Sequence, residues 1–184
     1  MRLMSMGDRK HATPVDAAIS GFAEGTAIRT EHGARAVETL AAGDKVITRY
    51  GKPVPITRIT QTETTGPLVR VSKHAFNQGT PRRDLLVAPD QMIMLTAPLL
   101  EMLYDCNAAL LPVRHMVCLD GVEEVTLPSP VRLLTLELDA PRIIFGSGLA
   151  MATRAMGAGH PIKTLDDADV ALLHDHIDEL VAAV

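Results

Sequence analysis

Short alternations of apolar and polar residues, punctuated by glycine and proline, recur from residue 26 to residue 145. Thr26–Thr30 alternates as TAIRT, Glu31-His32-Gly33 supplies a turn, and Arg35–Val37 returns, which predicts a hairpin. Leu40, Gly43 and Asp44 form the next turn before a strand over Lys45–Thr48, and Tyr50-Gly51-Lys52-Pro53 forms another. Val54–Thr60 alternates with Pro55 marking an edge or a bend, and Leu68–Ser72 alternates again ahead of a polar loop at 77–81. Asp84–Val87 and Met92–Leu95 are apolar runs on either side of Ala88-Pro89-Asp90. Pro89 cannot donate to a continuous ladder, so the two runs read as buried strands meeting at a corner.

Leu99–Leu111 fits helix or strand on periodicity alone, and the turn residues Asp105-Cys106-Asn107 favour strands. Val113–Val117 reads as a short helical turn or a loop and Gly121 as a turn. Val131–Leu138 is a long strand, and Arg142–Phe145 is the last, closed by Gly146-Ser147-Gly148. Strands at this spacing predict an all-β barrel or sandwich.

The two ends differ from this middle. Residues 1–19 mix methionine, charge and Pro14 without a period and read as a loose arm. After residue 150 the glycines at 157 and 159 and Pro161 mark a linker over 151–164, with Thr164 and Asp167 spaced as a capping box. Leu165, Val170, Leu173, Ile177 and Leu180 or Val181 then recur at helical spacing, which predicts a C-terminal amphipathic helix over 165–184. It is expected to pack on its own domain, with docking of a protein partner as the other use of its face.

Composition narrows the function classes. The 184 residues suit one domain with an appendage, and 47 % apolar residues are enough to build a core in which aromatics, at 3 % without tryptophan, play little part. A net charge of -4 gives no broad electropositive field, so nucleic-acid binding is not expected. No apolar run approaches a membrane span or a secretory leader, which makes the cytoplasm the default compartment and leaves export open.

Cys106 and Cys118 are neither a CxxC pair nor a disulfide framework, and two buried free thiols are expected. His174 and His176 stand two apart on the predicted helix and point apart. His115 and Cys118 lack the second pair that zinc needs, so no metal site is expected. The glycines form no phosphate cradle and no cofactor is expected. Asp84 and Asp90 flank the corner, where a hydrogen bond from Asp84 to a turn or to Arg82 is the plainer reading than acid-base work.

Four blocks, GFAEGTAIRT, VETLAAGDKVIT, PRRDLLVAP and LLPVRHMV, resemble in this order the Hint domains, the hedgehog and intein autoprocessing family. The resemblance is to the short bacterial type that opens with Cys-Phe and carries a Ser-Pro-x-His-Arg corner, and it covers residues 20–150. It implies a compact β horseshoe of two pseudo-symmetric halves. It also implies a chemistry in which the opening cysteine attacks the preceding carbonyl to give a thioester, while a hydroxyl and a histidine at the corner polarise and protonate the scissile amide.

At those positions this sequence has other residues. Gly21 stands for the opening cysteine, and the corner reads Ala88-Pro89-Asp90-Gln91-Met92, with Ala88 for the hydroxyl and Gln91 for the histidine. Pro141-Arg142 stands where the last strand opens on His-Glu. The expectation is a degenerate Hint domain without a catalytic residue, serving as a scaffold or interaction module. The alternative is self-cleavage near Ser20-Gly21, with Ser20 as substitute nucleophile displaced by about 3.3 Å along an extended chain.

Overall fold

The structure is a computed structural model that describes residues 20–76, 79–154 and 160–176. Its β-strands are β1 (Phe22–Ala23), β2 (Ala27–Thr30), β3 (Gly33–Ala36), β4 (Lys45–Ile47), β5 (Pro53–Pro55), β6 (Arg58–Thr64), β7 (Leu68–Val71) and β8 (Leu85–Val87). They continue as β9 (Met92–Leu95), β10 (Ala109–Pro112), β11 (Val122–Val125), β12 (Val131–Glu137), β13 (Ile143–Gly146), β14 (Leu149–Ala152) and β15 (Lys163–Thr164). Two α-helices, α1 (Pro98–Tyr104) and α2 (Asp167–His174), and 3-10 turns at Val37–Thr39 and Val113–Met116 join them.

Two sheets share these strands. The first runs β11-β7-β8-β1-β12-β6, and the second runs β15-β10-β9-β14-β13-β2-β4-β5 with β3 paired to β2. The TAIRT hairpin forms as read, with Ala27 opposite Ala36 and Thr30 opposite Gly33. Register follows burial because side chains alternate between faces. Along β12, Leu134 and Leu136 enter the main core, while Leu133 on the opposite face joins a second, smaller cluster. The corner at Pro89 passes the chain from β8 in the first sheet to β9 in the second.

One continuous core, including Phe22, Ile28, Ile93, Leu100, Leu111 and Leu136, lies among these elements, with a satellite cluster of Ala23, Leu68, Ala88 and Leu133. Each fully buried leucine or isoleucine contributes roughly 1.5–3 kcal/mol. No helix among the described residues is long and apolar enough to cross a membrane.

Four sequence expectations are corrected. The Leu99–Leu111 stretch does not form two strands, because Pro98 opens α1, a position where its missing N–H costs nothing. That helix ends where Asp105 turns left-handed at φ 52. Arg142–Phe145 is not the last strand, since Ser147 and Gly148 make a two-residue turn with φ of 51 and 95 that folds β14 back onto β13. The helix cap is Asp166 rather than Thr164, with Asp169 closing the box. Cys118 is exposed and Cys106 half-buried rather than both buried, although both thiols are free as expected.

The segment ahead of α2 is built into the second sheet. Lys163 and Thr164 pair in parallel with Ala109 and Leu110, and Val170 and Leu173 of α2 enter the main core. Tyr104 Oη donates to the Asp169 carbonyl at 2.8 Å and helps seat the helix on α1. Residues 177–184 of the expected helix, and 1–19 of the expected arm, lie outside the described residues.

Candidate functional site

Strand β1 sits between β8 and β12, with Phe22 opposite both Val87 and Leu134. One residue earlier this places Gly21 against Thr135. Gly21 is buried and has φ +147, a conformation that side-chain-bearing residues rarely adopt. A Cβ there would lie 3.1 Å from Thr135 Oγ1 and 3.2 Å from the Leu134 carbonyl oxygen. The Gly21 carbonyl accepts from the Ala88 amide at 3.2 Å, so the residue ahead of β1 and the corner after β8 are joined through the backbone.

Thr135 Oγ1 donates to the Ser20 carbonyl at 2.8 Å. This is the carbonyl that a nucleophile at position 21 would attack, and a donor on its oxygen is what such a step requires. The Ser20 hydroxyl itself is buried and has no hydrogen-bond partner among the described residues.

At the corner the Gln91 amide N–H donates to the Ala88 carbonyl at 2.9 Å and closes the turn. The Ala88 methyl is fully buried in the satellite cluster. Gln91 is only 3 % exposed, and its Nε2 donates to the carbonyls of Ala152 at 2.9 Å and Met92 at 3.2 Å. A side-chain amide has no basic lone pair, so it cannot exchange a proton as an imidazole does. Asp90 forms an ion pair with Arg114, whose own amide donates to the Pro89 carbonyl at 3.1 Å.

These groups surround a cavity of about 320 Å³ lined by Ser20, Phe22, Asp90, Gln91, Arg114 and Thr135 among others. The structure thus brings Ser20 and Gln91 to one cavity and keeps Ala88 and Gly21 out of its wall. Arg142 is also elsewhere, bridged to Asp139 at 3.0 Å. Among the described lining residues there is neither a histidine nor a cysteine. Sequence reasoning missed Thr135, Thr153 and Arg114 as wall residues. A threonine inside the apolar run VRLLTLEL was the available signal for the first.

The other candidates lie away from this cavity. Asp84 accepts from the Lys73 amide at 2.7 Å, the turn bond expected of it. His174 Nε2 lies 2.8 Å from the His115 carbonyl, an acceptor only, so that nitrogen carries the proton and offers no lone pair to Cys118 Sγ at 3.8 Å. His115 is held below the usual histidine range by its burial and then by the Arg114 guanidinium, with Asp167 at 3.4 Å opposing the shift. Among the described residues no group of three or more histidine, cysteine or carboxylate side chains is placed to hold a metal ion.

A family model for the Hint domain matches residues 20–158, well over half of the chain. The chain belongs to the Hint domain family. Solved structures with a similar fold include the bacterial intein-like domain from Clostridium thermocellum, at 16 % identity, 74 % coverage of this chain, 99 % of that one and a TM-score of 0.50. The MchDnaB-1 intein aligns at 17 % identity over 72 % of this chain and 99 % of its own, with a TM-score of 0.47. No curated protein matches the chain.

Proposed function

We propose that this Hint domain does not cleave its own chain and serves as a scaffold or interaction module. The observation that carries this reading is Gly21, which offers no nucleophile and whose Cβ position is crowded by Thr135 and Leu134. Gln91 supports it, because its side chain is committed to two backbone carbonyls and cannot supply the acid-base step. General acid-base help of the kind the family uses is worth about 100-fold to 10,000-fold, so its absence weighs heavily.

A second reading has its own support. The buried Ser20 hydroxyl, without a hydrogen-bond partner among the described residues, favours residual cleavage next to Ser20. In that chemistry Ser20 Oγ attacks the Ile19 carbonyl, the Ile19–Ser20 amide breaks, and the freed amine takes a proton. The resulting ester is then open to thiol or water.

Prolonged incubation with and without a strong thiol, followed by N-terminal sequencing of every species, separates the two. Only the original N-terminus is expected. A new terminus at Ser20 that disappears in Ser20→Ala would establish the second reading, and one at Gly21 would overturn the first without Ser20 as nucleophile.

A further inference from the structure

The second concavity of the molecule, about 890 Å³, shares no described lining residue with the cavity beside Ser20. It lies over the outer face of the second sheet, where Ala27, Ala34, Ile47 and Phe145 form a partly apolar floor. Arg29 rises from β2, and Arg82 and Arg83 come from the loop before β8. That loop is anchored here by the Arg82 amide, which donates to the Ser147 carbonyl at 2.7 Å. The Arg82 stem also passes within 3.2 Å of the Cβ position of Gly148.

The groove gathers three arginines at one place, whereas Arg58, which also holds no carboxylate of the described residues, stands elsewhere. Elsewhere Arg35, Arg70, Arg114, Arg132 and Arg142 each hold a carboxylate. Arg29, Arg82 and Arg83 are exposed, and none of them forms an ion pair among the described residues. The one acidic residue of the wall, Glu31, is engaged by Lys45 at 3.4 Å and faces His32 at 3.6 Å. A protein of net charge -4 therefore gathers three uncommitted guanidinium groups over one groove.

The backbone at the rim is also accessible. Strand β3 pairs only with β2 among the described strands, so its outer edge presents unpaired peptide groups beside Gly33 and Ala34. Nothing lies within 4 Å of a Cβ built at Gly33 or Gly51, which leaves room for another chain to approach. Peptides bind such edges by adding a strand, with alternate side chains read by the neighbouring surface.

We propose that this groove binds an extended acidic peptide of a partner protein, its carboxylates on Arg29, Arg82 and Arg83 and its alternate apolar side chains on Phe145 and Ile47. Three cations on an otherwise acidic surface suit a few carboxylates better than a continuous phosphate polymer. The proposal concerns a different part of the domain from the cleavage question, and it holds or fails whichever reading of Ser20-Gly21 is right.

Fluorescence polarisation of the full chain with a labelled alternating Glu-Val peptide tests it. Saturable binding that weakens as salt is raised is expected, together with a loss of about tenfold or more in affinity for the combined Arg29→Ser, Arg82→Ser and Arg83→Ser variant. The single change Arg83→Glu gives the same direction if the combined variant folds poorly, and an unchanged melting curve certifies either. Absence of binding, equal binding by parent and variant, equal binding of an alternating Lys-Val peptide, or tighter binding of oligouridylate would each overturn the proposal.

Discussion

In the cavity beside Ser20 the polar side chains other than the Ser20 hydroxyl bond to the protein itself. Gln91 serves two carbonyls, Asp90 holds Arg114, and Thr135 serves the Ser20 carbonyl. In the groove beside Arg82 three guanidinium groups face outward without a carboxylate from the described residues. The difference separates two uses of polarity. A buried polar group that is fully bonded costs little and fixes a local geometry, whereas a charge left exposed is paired only when something arrives. The bonded groups of the cavity thus fix local geometry, and the surface with unspent charge is the one suited to recognition.

The largest effect expected from breaking this contrast is at Gly21. Gly21→Val imposes a side chain at φ +147 and forces atoms toward Thr135 and Leu134, at a cost of roughly 3 kcal/mol or more in urea unfolding. A neutral substitution there would show that the start of β1 is not closed around glycine. Next comes Gln91→Leu, which strips the Ala152 and Met92 carbonyls of their donor and is expected to cost about 1–3 kcal/mol by the same measurement. Thr135→Val frees the Ser20 carbonyl and is expected to cost about 1 kcal/mol.

The groove should respond in the opposite sense. Replacing Arg29, Arg82 and Arg83 together is expected to shift stability by less than about 0.5 kcal/mol per site, because exposed side chains away from packed features rarely matter more. At the small end of the scale lies a pH dependence at His115, away from both concavities. Burial and then Arg114 hold the titration of His115 in the fold below the 6.5 of the unfolded chain. Its contribution is therefore complete above 6.5 and declines as pH falls below that value. Melting curves across this range should show a shallower decline in His115→Asn.

Much of the frame was legible in the residues. The hairpin of β2 and β3 follows from strict alternation around Gly33, and the corner follows from Pro89, since both are local effects of backbone chemistry. The apolar run from Leu99 was not, because its periodicity suits either element and only the position of Pro98 decides for a helix. Strand β14 was hidden by reading Gly146-Ser147-Gly148 as an ending, when Ser147 accepts a left-handed conformation and turns the chain back. Strand β11 carries adjacent glutamates in place of the usual β-branched pattern.

The candidate site divides the same way. The identities of Gly21, Ala88 and Gln91 could be read from the blocks around them, but what they touch could not. Thr135 reaches Ser20 only through the register of β1 on β12, a contact 115 residues apart in sequence. Arg29 and Arg82 share a groove only because the Arg82 loop bonds to Ser147 beside β2. Long-range register and loop anchoring are the parts of a fold that local pattern leaves open.

The most direct test of the central claim is the intact mass of the full chain after prolonged incubation near neutral pH, with and without a strong thiol. A single species of full mass in both conditions is expected of a Hint domain whose opening residue is Gly21. A fragment whose mass begins at Ser20 or Gly21, growing with time and accelerated by the thiol, would contradict it.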